Sequence, residues 1–527
     1  MLKNLLAKLK MNSRHPIDRK IGDYVFTFIS ILFVLISYLW FGSFGLWNTL
    51  PTITTYYDKL ATAFADGSLS LEETPDPTLL ALANPYNPAE RSGLRVPTDY
   101  SLYKGKYYLY FGPVPALFLT ISKFLGFALL GDQYLAFTFI CGIFVVQTLL
   151  IVFLWKSYFP EIPRWMATIS IVFSGLTTPF IWILTQAKFY EAASTSGQFF
   201  FLVGVYFVFT GYFKENVSNK RLMMAGISWA FALGSRLIQI LPIGFIGLIV
   251  VLLSIRIKRG KVVLLRSISS IIWLSTPIII GAICIGWYNW ARFGSFFETG
   301  FYYELAGPYL QKYYQQLFSP IYLLPNLYNY LFMKPGIIDR FPLLHSETGI
   351  GITKFPFLMV PPIYFTGPLT GIFYSTPFIL FAGLLGFADK DKPNNIPGSK
   401  GLIGWIVIVL LGAFLLEFAP FASYFWVETR FFIDFIPPLI LLAILGFWKS
   451  YLYFNNKPLL RSILVIVGFS LIAISIVESN LLALSAHRGS FKEFNPLLWK
   501  MLYKDFRPLI WKRLYEILLS NNLFFHN

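Results

Sequence analysis

Stretches of about twenty apolar residues recur from residue 23 to residue 485, and no other feature limits the folding of this chain so tightly. Each can cross a hydrocarbon core of about 30 Å as a helix, which satisfies its own peptide groups where no water can. Of 527 residues, 56% are hydrophobic and 13% charged, whereas soluble domains carry about 25% charged residues. Lipid is therefore the expected solvent, and the expected fold class is an all-α polytopic membrane protein.

The apolar runs fall near 23–46, 134–155, 165–183, 197–213, 222–235, 237–254, 267–289, 365–388, 401–420, 432–448 and 462–485, which makes eleven predicted transmembrane helices. They compose one transmembrane domain over 23–485. A cytoplasmic segment, 1–22, precedes it; residues 2–10 pattern as an amphipathic helix, and no A-x-A-like cleavage site follows to suggest a removed signal peptide. A basic tail, 486–527, follows. Two long connections, 47–133 and 290–364, are rich in Tyr, Phe and Leu, unlike disordered linkers.

Segment 107–131 decides the topology. If it does not span, the amino terminus and the loops 156–164, 214–221, 255–266, 389–400 and 449–461 share one side and gather 22 Lys and Arg. The short loops opposite then hold only Lys188, Arg236 and Arg430. If it does span, the five basic residues of 255–266 face outward, against the positive-inside rule. The segment is accordingly read as an interfacial helix opening at the Gly-Pro-Val-Pro break, with the amino terminus cytoplasmic. The tail, with seven Lys or Arg, then falls on the outer side, where lipid headgroups could take its charge.

The net charge of +17 lies in short loops between apolar runs, which sets orientation and gives no reason to expect nucleic acid as a partner. Cys141 and Cys284 both fall within predicted spans, so a disulfide framework and a Cys-based zinc site are excluded. His345 is a lone histidine in an outer loop and reads as structural; no metal ligand set is expected, although a requirement for a divalent cation stays open. The abundance of Lys, Asn, Ile and Phe suits a bacterial plasma (inner) membrane.

Asp58, Asp66, Asp99, Lys188, Glu191, Arg236, Arg292, Glu298, Glu304, Arg430 and Asp434 all gather on the outer side in this topology. Charges collected at one membrane face line a wet cavity, meet an ionic ligand or touch headgroups. Asp58 and Asp99 flank a loop whose aromatic residues, among them Tyr108 and Tyr110, could stack on a sugar ring, and either acid could act as a general base. The alternative for each is a helix cap or an ion pair with a loop lysine. Arg430 and Asp434, four apart, are expected to pair on one helix face.

An acid after the first helix, a long aromatic loop and YYLYFGPVPAL at 107–117 together resemble the membrane-embedded GT-C glycosyltransferases. The resemblance is to the bacterial aminoarabinose and protein-mannosyl transferases of that class, whose loop ends in Tyr-Phe-x-x-Pro-Pro-Leu. TQAKFYEAASTSGQFFFL resembles a second segment, with Glu191 where the family has Asp. FALGSRLIQILP, at 231–242, resembles the helix break that carries a basic residue near the lipid phosphate, and Arg236 is its charge. YNWARFGSFFETGFYYEL and TRFFIDFIPPLILLA resemble segments of membrane proteins grouped with this class.

The resemblance implies a GT-C-like fold that transfers a sugar from a polyprenyl-phosphate donor to a lipid or glycan acceptor on the outer face. Within it Asp99 or Asp58 would be the base, and Arg236, Arg292 and Lys188 would stabilise the leaving phosphate. Glu191, Tyr108 and Tyr110 would complete the substrate site. Two other readings remain: a transporter or lipid flippase using the same charged cavity, and a non-catalytic relative, which the loosened proline motif and Glu191 would suit.

Overall fold

The computed structural model describes residues 16–127, 129–212, 218–256, 261–338, 340–349, 360–386, 399–486 and 490–505. The amphipathic segment 2–10 and the end of the basic tail, 506–527, lie outside the described residues. Among the described residues, eight helices are long and apolar enough to cross a membrane: Gly22–Gly42, Asp132–Tyr158, Arg164–Leu184, Phe189–Gly211, Ile268–Phe293, Leu402–Ala422, Thr429–Asn456 and Pro458–Leu484.

Their packing separates a centre from a lipid-facing shell. The most apolar window of Thr429–Asn456 is 94% buried by neighbours, whereas that of Ile268–Phe293 is 11% buried, so the latter turns Ile279, Ile280 and Ile283 outward. Helix Asn219–Ser235 packs between Phe189–Gly211 and Lys261–Phe293. A Cβ at Gly226 would collide with the carbonyl oxygen of Leu274, the close backbone approach that small residues permit between membrane helices.

Three predicted spans take other forms. The runs 222–235 and 237–254 become Asn219–Ser235 and Ile240–Arg256, of 17 residues each, or about 25 Å of rise. The run 365–388 is not one helix. Strands Phe365–Thr366 and Pro368–Leu369 are followed by a single turn, Ile372–Ser375, and a 3-10 stretch, Pro377–Gly386. Pro368 and Pro377 lack the N–H that a continuing helix needs, and the backbone instead pairs with Trp426–Val427 and Glu347–Thr348.

Segment 107–131 forms a helix of 11 residues, Val114–Phe124, too short to span. Its outer face bears exposed Phe118, Ile121 and Phe124. Ion pairs of Asp23 with Lys156 and Arg164 (2.6 Å) tie the start of the first helix to the loop 156–164. At the other end of that helix, Phe491 packs against Trp40, Phe41 and Phe44, and Asn495 Nδ2 donates to the Phe44 carbonyl (2.9 Å). Trp499 meets Phe341. The described part of the tail thus shares an end of the bundle with the loops 47–133 and 290–364.

Asp58 sits in helix Tyr56–Ala65, which packs on Val114–Phe124. Its buried carboxylate pairs with Lys123 Nζ (2.6 Å) and accepts from the Leu130 N–H (3.0 Å). Asp58→Ala removes the charge facing a largely buried ammonium, and is expected to cost about 3 kcal/mol. A fall in the thermal unfolding midpoint of the detergent-purified protein would register it.

Candidate functional site

At the loop-bearing end, a cavity of about 660 Å³ opens between the two long loops and the helix bundle. Asp99, Tyr110, Arg236, Arg292, Glu304 and Arg430 are among its polar lining residues. Apolar Leu233, Leu237, Ile238 and Ile285 form one wall, and Leu237 is half exposed on the bundle surface. Sequence reasoning had placed four of those six residues in a substrate site.

Asp99 stands just before strand Ser101–Tyr103, which pairs with Lys106–Tyr108 as a hairpin. Its φ of 65° is left-handed, a conformation Asp tolerates better than most side chains. The second loop is stitched to this hairpin. Leu305 N–H donates to the Tyr100 carbonyl (2.8 Å), Ser101 Oγ donates to the Gly300 carbonyl (2.8 Å), and Arg91 donates to the Ala306 carbonyl. Ser101 and Glu304 form an antiparallel bridge. These bonds bring Glu304 and Asp99 to the same cavity wall, where their carboxyls interact and the Tyr190 hydroxyl interacts with Asp99. Glu304 is 6% exposed, and its Oε2 has no hydrogen-bond partner among the described residues. Burial, and then the neighbouring Asp99 carboxylate, push the Glu304 carboxyl well above the usual carboxylate range.

Arg236 occupies an extended residue between helix Asn219–Ser235 and the 3-10 turn Leu237–Gln239, so the lone charge of FALGSRLIQILP does mark a break. Its Nε and Nη2 donate to the two oxygens of buried Asp434 (3.4 and 3.0 Å). The Gly-Pro-Val-Pro turn packs directly on this break: a Cβ at Gly112 would collide with the Gly234 carbonyl oxygen. Gly112→Ala is therefore expected to displace the backbone leading to Arg236, costing about 1–3 kcal/mol. A lowered unfolding midpoint, with no such loss in a Gly404→Ala control where a Cβ meets open space, would show it.

Several sequence expectations are corrected here. Asp58 does not reach the cavity, since Lys123 and the Leu130 N–H hold its carboxylate elsewhere. Tyr108 is buried edge-on against Phe293 and is not among the lining residues, while Tyr110 is. Glu191 is buried at N3 of Phe189–Gly211 and its carboxylate accepts from the Lys188 N–H (3.2 Å), which caps the helix start; neither residue lines the cavity. Arg430 does not pair with Asp434. Thr429–Phe431 is a 3-10 turn, which breaks the four-residue helical spacing. Arg430 instead makes an ion-pair contact with Glu428 (3.1 Å), and its guanidinium lies over the Tyr190 ring (4.2 Å).

Arg292 lines the cavity with most of its donors already engaged. Nη1 donates to the Leu109 carbonyl (2.7 Å) and Nη2 to Asn289 Oδ1 (3.0 Å), and the guanidinium stacks on Tyr288 at 3.8 Å. It thus fastens the end of Ile268–Phe293 to the aromatic loop. His345 pairs with Glu347 (3.1 Å) away from the cavity. Among the described residues, no group of three or more His, Cys, Asp or Glu could hold a metal ion.

No family model matches this chain, and no curated protein matches it. Among solved structures, the crystal structure of the Archaeoglobus fulgidus oligosaccharyltransferase in the apo form is similar, with a TM-score of 0.39 and 13% sequence identity. The match covers 89% of this chain and 55% of that one, so the chain spans about half the length of the solved structure it matches.

Proposed function

We propose that this chain is a GT-C-like membrane glycosyltransferase that moves a sugar from a polyprenyl-phosphate donor to a lipid or glycan acceptor at the outer face of the plasma membrane. One observation carries the reading: a carboxylate, Asp99, and a phosphate-binding type of side chain, Arg236, line the same cavity beside an apolar wall. About 660 Å³ lies within the range of small-molecule sites and suits a sugar phosphate. Leu237 and Ile238 would guide the polyprenyl chain in from the lipid.

In this reading Asp99 takes the proton of the acceptor hydroxyl while that oxygen attacks the anomeric carbon. The bond from that carbon to the phosphate oxygen breaks, and its electron pair leaves on the phosphate. The Arg236 fork, oriented in advance by Asp434, stabilises that growing negative charge. Tyr110 and Phe111 offer faces on which the sugar can stack. Attack by the acceptor itself inverts the anomeric configuration.

Purified protein in vesicles, supplied with radiolabelled polyprenyl-phosphate sugars one at a time, should move label into a lipid or glycan acceptor. Uptake or scrambling of the donor with no covalent product would replace this reading with a transporter or flippase.

A further inference from the structure

We propose that Glu304 is a positioning residue for Asp99: the two carboxyls share one proton, Glu304 holding it and donating it as a hydrogen bond to the Asp99 carboxylate. This rests on the sugar-transfer reading for its use, but the shared proton is a property of the folded protein alone.

Two carboxyls in contact cannot both ionise cheaply, and a cavity wall of low polarity raises that cost. The strain is not relieved by moving apart, because the bonds from Leu305 to Tyr100, from Ser101 to Gly300 and from Arg91 to Ala306 fix the two loops to each other. Glu304 is the deeper of the pair, and its Oε2 meets no donor among the described residues, whereas an ionised carboxylate calls for several. Asp99 has the Tyr190 hydroxyl as a further donor, which favours charge on Asp99. The other titratable groups facing the pair are Arg91, Arg430, Tyr110, Tyr424 and Tyr56. Both arginines favour one negative charge on the pair, and burial keeps the tyrosines neutral.

During transfer the acceptor proton adds to Asp99 as the new carbon–oxygen bond forms and the phosphate departs with the electron pair of the old one. The pair then carries two protons and returns to its resting state by releasing one to water. Glu304 keeps its own proton throughout, so it holds Asp99 in one orientation.

Two measurements test this. Infrared difference spectra of the full chain in vesicles should contain a carboxylic-acid carbonyl band at neutral pH that disappears in Glu304→Gln and shifts in Tyr190→Phe. A spectrum unchanged by Glu304→Gln overturns the proposal, whether or not any sugar is transferred. In transfer assays, Glu304→Ala should move the acidic limb of the pH–rate profile upward by about one pH unit, the size of one lost hydrogen bond to a carboxylate. A downward shift would mean that Glu304 is ionised, and no shift would mean that it is uncoupled; either overturns the proposal. A wild type inactive with every donor, yet showing the band, would instead remove the glycosyltransferase reading and leave the shared proton standing.

Discussion

Asp99→Asn is expected to slow sugar transfer by about a thousandfold, in the middle of the range attributed to a positioned general base. The substitution isolates the chemistry well. Asn adopts the left-handed φ of 65° as readily as Asp, so the turn before the hairpin should persist. Its amide can still accept from Tyr190 and Glu304, so the cavity should keep its shape. What is lost is a lone pair basic enough to receive the hydroxyl proton. Asp58→Asn provides the contrast, because that carboxylate is turned to Lys123 and away from the cavity. Its expected effect is on stability, with initial transfer rates of the folded fraction close to wild type. Retention of more than about a tenth of the wild-type rate in Asp99→Asn would remove Asp99 as the base.

These two acids show where local sequence reasoning stops. Each has a tyrosine beside it, Tyr57 and Tyr100, and nothing local separates a candidate base from an ion pair; the partner that decides for Asp58, Lys123, lies in helix Val114–Phe124. Arg236 was legible because a lone charge at a helix break inside apolar sequence has few places to go. Glu304 was not, because its neighbourhood with Asp99 arises from pairing between two loops far apart in the chain, and no periodicity encodes it. Local spacing also misled at Arg430 and Asp434, where a single 3-10 turn rotates one residue away from the other. The span at 365–388 was overread for a related reason: apolar content is high there, but Pro368 and Pro377 forbid one continuous ladder. Hydrophobicity locates the bundle, and backbone hydrogen-bond accounting decides which apolar runs become whole helices.

Arg236→Ala is expected to lower transfer by about a hundredfold to a thousandfold, the cost of removing one preorganised donor from a developing anion. The arginine is committed to Asp434 through Nε and Nη2, and Nη1 takes no part in that pair. Asp434 is fully buried, so the ion pair holds the fork rigidly at the cavity wall and avoids reorganisation when the phosphate leaves. Arg236→Lys should recover little, because an ammonium cannot both satisfy Asp434 and present a planar fork. The single substitutions are confounded by folding, since each leaves a buried charge without its partner at a cost of about 3–5 kcal/mol. The decisive variant is therefore Arg236→Met combined with Asp434→Leu, which replaces the pair by apolar side chains of similar size and should restore the unfolding midpoint. If stability returns and transfer stays absent, the guanidinium acts on the substrate; if both return, Arg236 serves only to neutralise Asp434 and the phosphate must be met by another cation of the cavity.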